Sequence, residues 1–226
     1  MNVEIEANVA RVRARIAEAA LRGGRQPESV QLVAVTKTVG PERIREAVAC
    51  GLRVFGENRV QEARAKVAEV PGASWHLIGS LQRNKAKEAL RLFDVIHSVD
   101  SLGLAEELSR RSLERGTRRA EVLLQVNISQ ELQKHGVAPQ EVERVVAAAL
   151  EFPGLHLRGL MGMAPLVESP EAARPSFRRL RELRDRLRET FPEAGVCELS
   201  MGMTDDFEVA IEEGATMVRV GRALFA

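Results

Sequence analysis

The sequence has few of the residues that build disulfide frameworks, zinc sites or strongly charged surfaces. Its two cysteines, Cys50 and Cys197, lie far apart, which indicates reduced thiols in a cytoplasmic protein and gives no support to a metal site. Lysine and arginine together number 33, against 32 aspartates and glutamates. This balance excludes a general attraction to nucleic acids or anionic membranes, so we expect neither as a partner and expect any anion site to be local.

Long hydrophobic runs are absent as well. Residues 1–22 mix charged side chains with apolar residues at helical spacing, without the apolar core of a signal peptide. No transmembrane segment is apparent in the rest of the sequence. Hydrophobic residues make up 45% and charged residues 29% of the 226 positions, which is enough apolar material for a sizeable core. We expect one domain that spans residues 1–226.

The sequence does contain a regular alternation of β-rich runs and amphipathic stretches. The eight predicted strands are 30–37, 53–58, 74–80, 93–100, 119–129, 155–163, 195–203 and 216–225. The clearest predicted helices are 41–50, 60–70, 102–115, 139–152 and 170–191, with an extra helix at 2–22. Because eight βα units close naturally into a barrel, the pattern predicts an α/β fold, a (β/α)8 TIM barrel with an additional N-terminal helix.

The first predicted strand ends in a lysine, at the end of the barrel where such folds place their active sites. Lys37 follows four residues suited to a buried strand and by alternation shares the inward face with Val33 and Val35. Partial desolvation and neighbouring cations such as Arg219 would favour the neutral amine that forms a Schiff base. A lysine at this rim can also be purely structural, and its position alone does not decide between the two interpretations.

The segments after the last two strands have the composition of a phosphate site. Ser200, Gly202 and Thr204 precede a predicted helix, so hydroxyl and backbone N–H groups can converge on an anion there. Barrels often bind phosphate with the loops after strands seven and eight, where Gly221 and Arg222 also fall. The alternative is that the hydroxyls only cap the helix and the glycines only make turns.

Further polar residues are predicted to lie inside or at the rim of the barrel. Arg219 faces the interior by alternation and needs an acceptor, which could be an aromatic ligand nitrogen or the carboxylate of Glu198. Asn58 and His76 could contact a ligand or could be satisfied polar groups at the rim. Met161 is expected to contribute packing more than chemistry.

Seven stretches, in order along nearly the whole chain, form a specific set of motifs. They are LVAVTK (32–37), FGENRVQEA (55–63), WHLIGSLQRNK (75–85), VNIS with K and G following (126–136), GLMGMAP (159–165), LSMGMTDDFEVAIEEGA (199–215) and VRVGRALF (218–225). In these stretches the sequence resembles the pyridoxal phosphate homeostasis protein family, one-domain relatives of the alanine racemase N-terminal domain.

The resemblance implies a cofactor, pyridoxal 5'-phosphate (PLP), bound reversibly as a Schiff base on Lys37. It implies that the phosphate is held by Ser200, Thr204, Gly221 and Arg222. It also implies that Arg219 approaches the pyridine nitrogen and that the ring is lined by Asn58, His76 and Met161. These residues coincide with the site inferred from the strand ends.

Family relatives that racemise alanine use a tyrosine from a second domain as their second base. This chain has no tyrosine, and no residues follow the last predicted strand that could form such a domain. An arginine beside the pyridine nitrogen would also weaken the cofactor as an electron sink. We therefore expect no catalytic residues and no turnover, but a cytoplasmic, monomeric carrier that buffers PLP, with PLP-dependent apoenzymes as candidate recipients.

Two enzyme alternatives remain open at this point. A PLP-dependent amino-acid racemase could use His76 as its second base. A Schiff-base aldolase-type barrel would also carry a reactive lysine, although aldolase lysines usually lie later in the barrel than the first strand.

Overall fold

The computed structural model describes residues 3–116, 118–129 and 135–226. Eight parallel strands pair in chain order, and the last pairs with the first to close a barrel. The strands are β1 (Gln31–Val35), β2 (Val54–Glu57), β3 (Ser74–Leu77), β4 (Val95–Val99), β5 (Ala120–Val126), β6 (Leu155–Gly162), β7 (Glu198–Ser200) and β8 (Met217–Val220). The predicted (β/α)8 barrel is confirmed.

Helices follow the strands and surround the barrel. They are α1 (Val3–Arg22), α2 (Pro41–Ala49), α3 (Val60–Glu69), α4 (Ala86–Leu92), α5 (Leu102–Arg115), α6 (Val142–Leu150), α7 (Arg174–Thr190), α8 (Phe207–Glu212) and α9 (Arg222–Phe225). In the described ranges, none of them has the length and apolar character that a membrane crossing requires.

Strand side chains alternate between two apolar compartments. Inside the barrel, a small buried cluster consists of Val33, Leu123, Met161 and Met217. A much larger core, which includes Ala34, Phe55 and Trp75, lies between the strands and the helices. Because Val33 and Ala34 belong to different compartments, the alternation predicted for β1 is confirmed.

The additional N-terminal helix packs beside the last two helices of the chain. The apolar side chains that α1 buries are Ile5, Val9, Val12 and Ile16. Arg15 bonds to Glu208 of α8 at 2.6 Å, and Asn8 donates to the carbonyl oxygen of Leu224 in α9 at 3.2 Å. The helix therefore covers the side of the barrel next to the phosphate loops expected from the sequence.

Most strands are shorter than predicted, and three elements show what limits the sequence-based expectation. The eighth predicted strand extended to residue 225, but β8 ends at Val220 and the next residues form α9. Strand β7 is shorter than predicted because Gly202 turns the chain with a φ of 91°. Helix α4 was not predicted, since the only residues that it buries are the small Ala86 and Ala89, which give a weak periodic signal.

Candidate functional site

Lys37 lies on a tight turn immediately after β1 and is exposed at the carboxyl end of the barrel. The Val39 N–H donates to the carbonyl oxygen of Thr36 at 2.9 Å, which closes the turn over Lys37 and Thr38. Thr38 has a φ of 65°, in the left-handed region that β-branched residues rarely adopt. Such a conformation costs about 1–3 kcal/mol, so neighbouring contacts must hold the turn.

A buried ion pair lies on the helix side of this turn. Lys66 of α3 donates from Nζ to the carbonyl oxygen of Thr36 and to Oε1 of Glu57, both at 2.7 Å. The Thr36 hydroxyl donates to the same carboxylate oxygen at 2.6 Å. Sequence reasoning missed this pair. Alternation along β2 points Glu57 outward towards α3, and a carboxylate buried there needs a cationic partner. This requirement could have predicted the pair from the sequence.

Two glycines shape the barrel mouth next to this turn, one after β7 and one after β8. A Cβ on Gly202 would lie 2.6 Å from the Cβ of Ala210, and its φ of 91° also favours glycine. A Cβ on Gly221 would lie 3.2 Å from the Cβ of Val35. The backbone at the end of β8 therefore packs directly against β1, two residues before Lys37.

The remaining predicted rim residues follow neighbouring strands. Asn58 directly follows β2 and is half-buried, and Thr204 is half-buried in the turn after β7. Arg222 is exposed and forms an ion pair with Asp205. Because β7, β8, β1 and β2 are adjacent around the eight-stranded barrel, the structure brings these residues to the same half of the mouth as Lys37.

Arg219 is buried inside the barrel, deeper than the rim. It is in register with Val33 of β1. Its Nη1 donates to the Ser200 hydroxyl at 2.5 Å, and its Nη2 donates to the carbonyl oxygen of Gly162 at 3.0 Å. Burial lowers the pKa of Arg219 to about 10, and only the charge of Asp206 opposes this shift. The group is thus mostly protonated at neutral pH.

The alternative partner considered for Arg219 was Glu198, and the structure does not bring the two together. Glu198 instead pairs with Arg158 of β6. Burial raises the pKa of the Glu198 carboxyl, and the positive charge of Arg158 partly offsets that effect. The Glu198 interpretation of Arg219 is therefore wrong.

Ser200, the last residue of β7, belongs to a hydrogen-bonded chain inside the barrel, and its expected contact with a phosphate stays a prediction. Its hydroxyl lies 2.9 Å from Nδ1 of His97, and Nε2 of His97 lies 2.9 Å from Nδ1 of His76. Because Arg219 can only donate, the hydroxyl proton of the fully buried Ser200 is left for His97 Nδ1. His97 then donates from Nε2, so both imidazoles are fixed in single tautomers.

His76 lies away from the rim residues, although it was predicted to line the ligand. It is in register with Gly56 and Val95, and only 3% of its surface is exposed. It lines a cavity of about 670 Å³ at the amino ends of the strands, together with Gln31 and Arg158. Burial, with a smaller contribution from Arg158, lowers the pKa of His76 to about 4, so the ring is neutral near neutral pH.

Met161 lies within the inner apolar cluster and is fully buried. It is in register with Ser200 on the neighbouring strand. Its contacts are those of a core side chain, and its expected place beside the cofactor ring stays a prediction. No group of three or more His, Cys, Asp or Glu residues that could hold a metal ion occurs in the described part of the chain.

Comparison with known proteins identifies the relatives of this barrel. The sequence profile of the family described as alanine racemase, N-terminal domain, matches residues 4–226. The pyridoxal phosphate homeostasis protein of Aquifex aeolicus is 45% identical over 219 residues, which cover 96% of this chain and 95% of that protein.

The chain belongs to the pyridoxal phosphate homeostasis protein family. Its counterpart in Pseudomonas aeruginosa is 45% identical over 223 residues, covering 98% of this chain and 94% of that protein. PipY of Synechococcus elongatus PCC7942, solved with PLP bound, superposes with a TM-score of 0.87 at 40% identity and covers 98% of this chain and 100% of that one. Alanine racemase of Clostridium difficile 630 shares the fold, with a TM-score of 0.76 at 13% identity, over 98% of this chain and 55% of the racemase.

Proposed function

We propose that this protein binds PLP, holds it as a Schiff base on Lys37 and buffers its free level by reversible capture. The observation that carries the proposal is the contact between the ends of β8 and β1, where Gly221 packs against Val35. This contact puts the expected phosphate loop beside the turn that bears the lysine. Membership of a family in which PipY has been solved with PLP bound supports the same ligand.

The residues at the mouth fit a phosphorylated aldehyde. Thr204 and the backbone at Gly221 would hold the phosphate, and Arg222 would add positive charge at the rim. The lack of a side chain at Gly202 lets the loop after β7 pack directly against Ala210 of α8, which fixes the backbone that leads to Thr204.

The interior residues would act on the other end of the ligand. Arg219 would approach the pyridine nitrogen and, being protonated, would keep that nitrogen unprotonated. Ser200 would act by positioning Arg219, because its hydroxyl accepts a hydrogen bond from the Arg219 guanidinium inside the barrel. When bound, the cofactor would supply an aldehyde carbon for condensation with the Lys37 amine, which forms a C=N bond and releases the aldehyde oxygen as water.

Lys37 is the best-placed amine among the four lysines that the structure describes. Lys66 is nearly buried, and its Nζ is held by two hydrogen bonds. Lys85 and Lys87 lie at the start of α4, beyond the loop after β3. Lys134 lies outside the described residues.

The proposed role is that of a carrier without turnover, which delivers PLP to apoenzymes and acts as a monomer. Two-base racemisation needs a second base, and the sequence has no tyrosine. His76, the candidate substitute, is 3% exposed and has a lowered pKa of about 4. A neutral imidazole near the amino ends of the strands is poorly placed for proton transfer at the opposite end of the barrel.

Borohydride reduction tests the covalent site. We expect reduction of the PLP-loaded protein to fix the label on the peptide that contains Lys37, with the surface variant Lys87→Ala labelled equally. A label on any other lysine would refute the assignment. Turnover is tested separately by α-proton exchange of amino acids in deuterated water, and rapid exchange by the loaded protein would refute the carrier role.

A further inference from the structure

We infer that the buried Glu57–Lys66 ion pair is a positioning device that holds the Lys37 turn in the conformation needed for Schiff-base formation. This inference rests on the proposed function of Lys37. Glu57 and Lys66 themselves do not contact the ligand in this account. They act through Thr36, the residue that precedes the lysine.

Every polar group of Thr36 is held. Its N–H donates to the carbonyl oxygen of Gly56 at 3.0 Å, and its hydroxyl donates to Glu57 at 2.6 Å. Its carbonyl oxygen accepts from Lys66 Nζ at 2.7 Å and from the Val39 N–H at 2.9 Å. Thr36 is fully buried, so water cannot replace these partners. The start of the Lys37 turn is therefore fixed from the helix side of the barrel.

Stability alone is a poor explanation for this pair. Burying two charges carries a desolvation penalty, and apolar side chains of similar volume are often equally stable or more stable. Here the penalty is incompletely offset, since Oε2 of Glu57 is buried without a hydrogen-bond partner. The pair does, however, reach a backbone carbonyl that no apolar replacement could hold.

The strained residue on the turn gives the second reason. Thr38 keeps a φ of 65° although its side chain is β-branched. A backbone conformation of this kind persists only where surrounding contacts over-determine it, and such positions cluster at functional sites. Lys66 fixes the position of the Thr36 carbonyl, which is also the acceptor of the turn-closing bond from Val39, so loss of Lys66 should let the turn open more often.

The double variant Glu57→Leu with Lys66→Met separates positioning from structural support. We expect it to fold, with a loss of unfolding free energy no larger than about 1–3 kcal/mol, which is the cost when the buried Thr36 hydroxyl loses its carboxylate acceptor. In the cofactor-free variant, the Val39 amide should exchange with solvent at least about tenfold faster, because a charge-assisted bond at its acceptor is lost. At a fixed PLP concentration, the visible Schiff-base band should form about tenfold more slowly.

Thr36→Val provides an independent test that leaves the ion pair in place. It removes only the hydrogen bond from the Thr36 hydroxyl. The Val39 amide should therefore exchange about threefold faster, and the Schiff-base band should form about threefold more slowly. As a matched control, Arg158→Met with Glu198→Leu removes a partly buried pair at the other end of the barrel and should change neither readout. Wild-type exchange and wild-type band formation in Thr36→Val, or in the folded double variant, would overturn the inference.

The Lys37→Ala variant distinguishes failure of this inference from failure of the proposed function. A Schiff-base band that persists in Lys37→Ala would refute the role of Lys37 itself. Hydrogen exchange of the Val39 amide is measured without cofactor. It therefore shows whether the ion pair stabilises the turn, whether or not Lys37 forms the Schiff base.

Discussion

Replacing Ser200 by alanine should destabilise the cofactor-free protein. The Ser200 hydroxyl accepts from Arg219 at 2.5 Å and lies 2.9 Å from Nδ1 of His97, and all three residues are buried. The variant leaves a guanidinium N–H and an imidazole nitrogen without this partner. The effect requires no ligand, because it arises inside the barrel.

The magnitude follows from the two orphaned groups. Each buried polar group left unsatisfied costs about 1–3 kcal/mol, and a charged donor costs more. Arg219 keeps its second hydrogen bond, to the carbonyl oxygen of Gly162, which limits its contribution to the destabilisation. We therefore expect Ser200→Ala to lower the free energy of unfolding by about 3 kcal/mol.

Urea unfolding near neutral pH, followed by circular dichroism, measures this loss. The control is Thr204→Ala, which should change the unfolding free energy by less than about 0.5 kcal/mol but weaken the binding of inorganic phosphate. The reverse pattern, with Ser200→Ala as stable as the wild type yet deficient in phosphate binding, would refute the internal role and restore Ser200 as a phosphate ligand.

Two further predictions concern acid stability and backbone packing. Burial lowers the pKa of His76 from 6.5 to about 4, so its stabilising contribution is complete above pH 6.5 and is lost as the pH falls to about 4. The loss of unfolding free energy between these pH values is about 3 kcal/mol, and it should be smaller in His76→Gln. Urea unfolding across this pH range measures it, and equal losses in the wild type and His76→Gln would contradict the prediction. Gly202→Ala should cost about 2–5 kcal/mol, because its Cβ would lie 2.6 Å from that of Ala210 at a positive φ. Gly40→Ala, where nothing lies within 4 Å, should be nearly neutral, and equal destabilisation of both variants in urea unfolding would disprove the packing argument.

Much of the fold could be predicted from the sequence because the two hydrophobic periods are local signals. Eight alternating runs were enough for barrel closure, and α5 was predicted with the bounds that the structure has. Strand ends were less accurate, since they depend on contacts with distant segments. The end of β8 is an example, because Gly221 packs against Val35 from the other end of the chain.

The site was only partly predictable for a similar reason. Lys37 and the loops after β7 and β8 follow from the rule that barrel sites lie at strand ends. The rule could not separate Ser200, the last residue of its strand, from the rim, because its partner His97 comes from the opposite side of the barrel. The role of the Glu57–Lys66 pair also depends on a tertiary contact, because Lys66 donates to the carbonyl of Thr36 at the end of another strand.

The visible spectrum of the protein with added PLP tests the central claim most directly. The wild type and the surface variant Lys87→Ala should both develop a Schiff-base band that borohydride bleaches. Lys37→Ala should develop no such band while it retains the wild-type fold by circular dichroism. A band of wild-type intensity in folded Lys37→Ala would contradict the account.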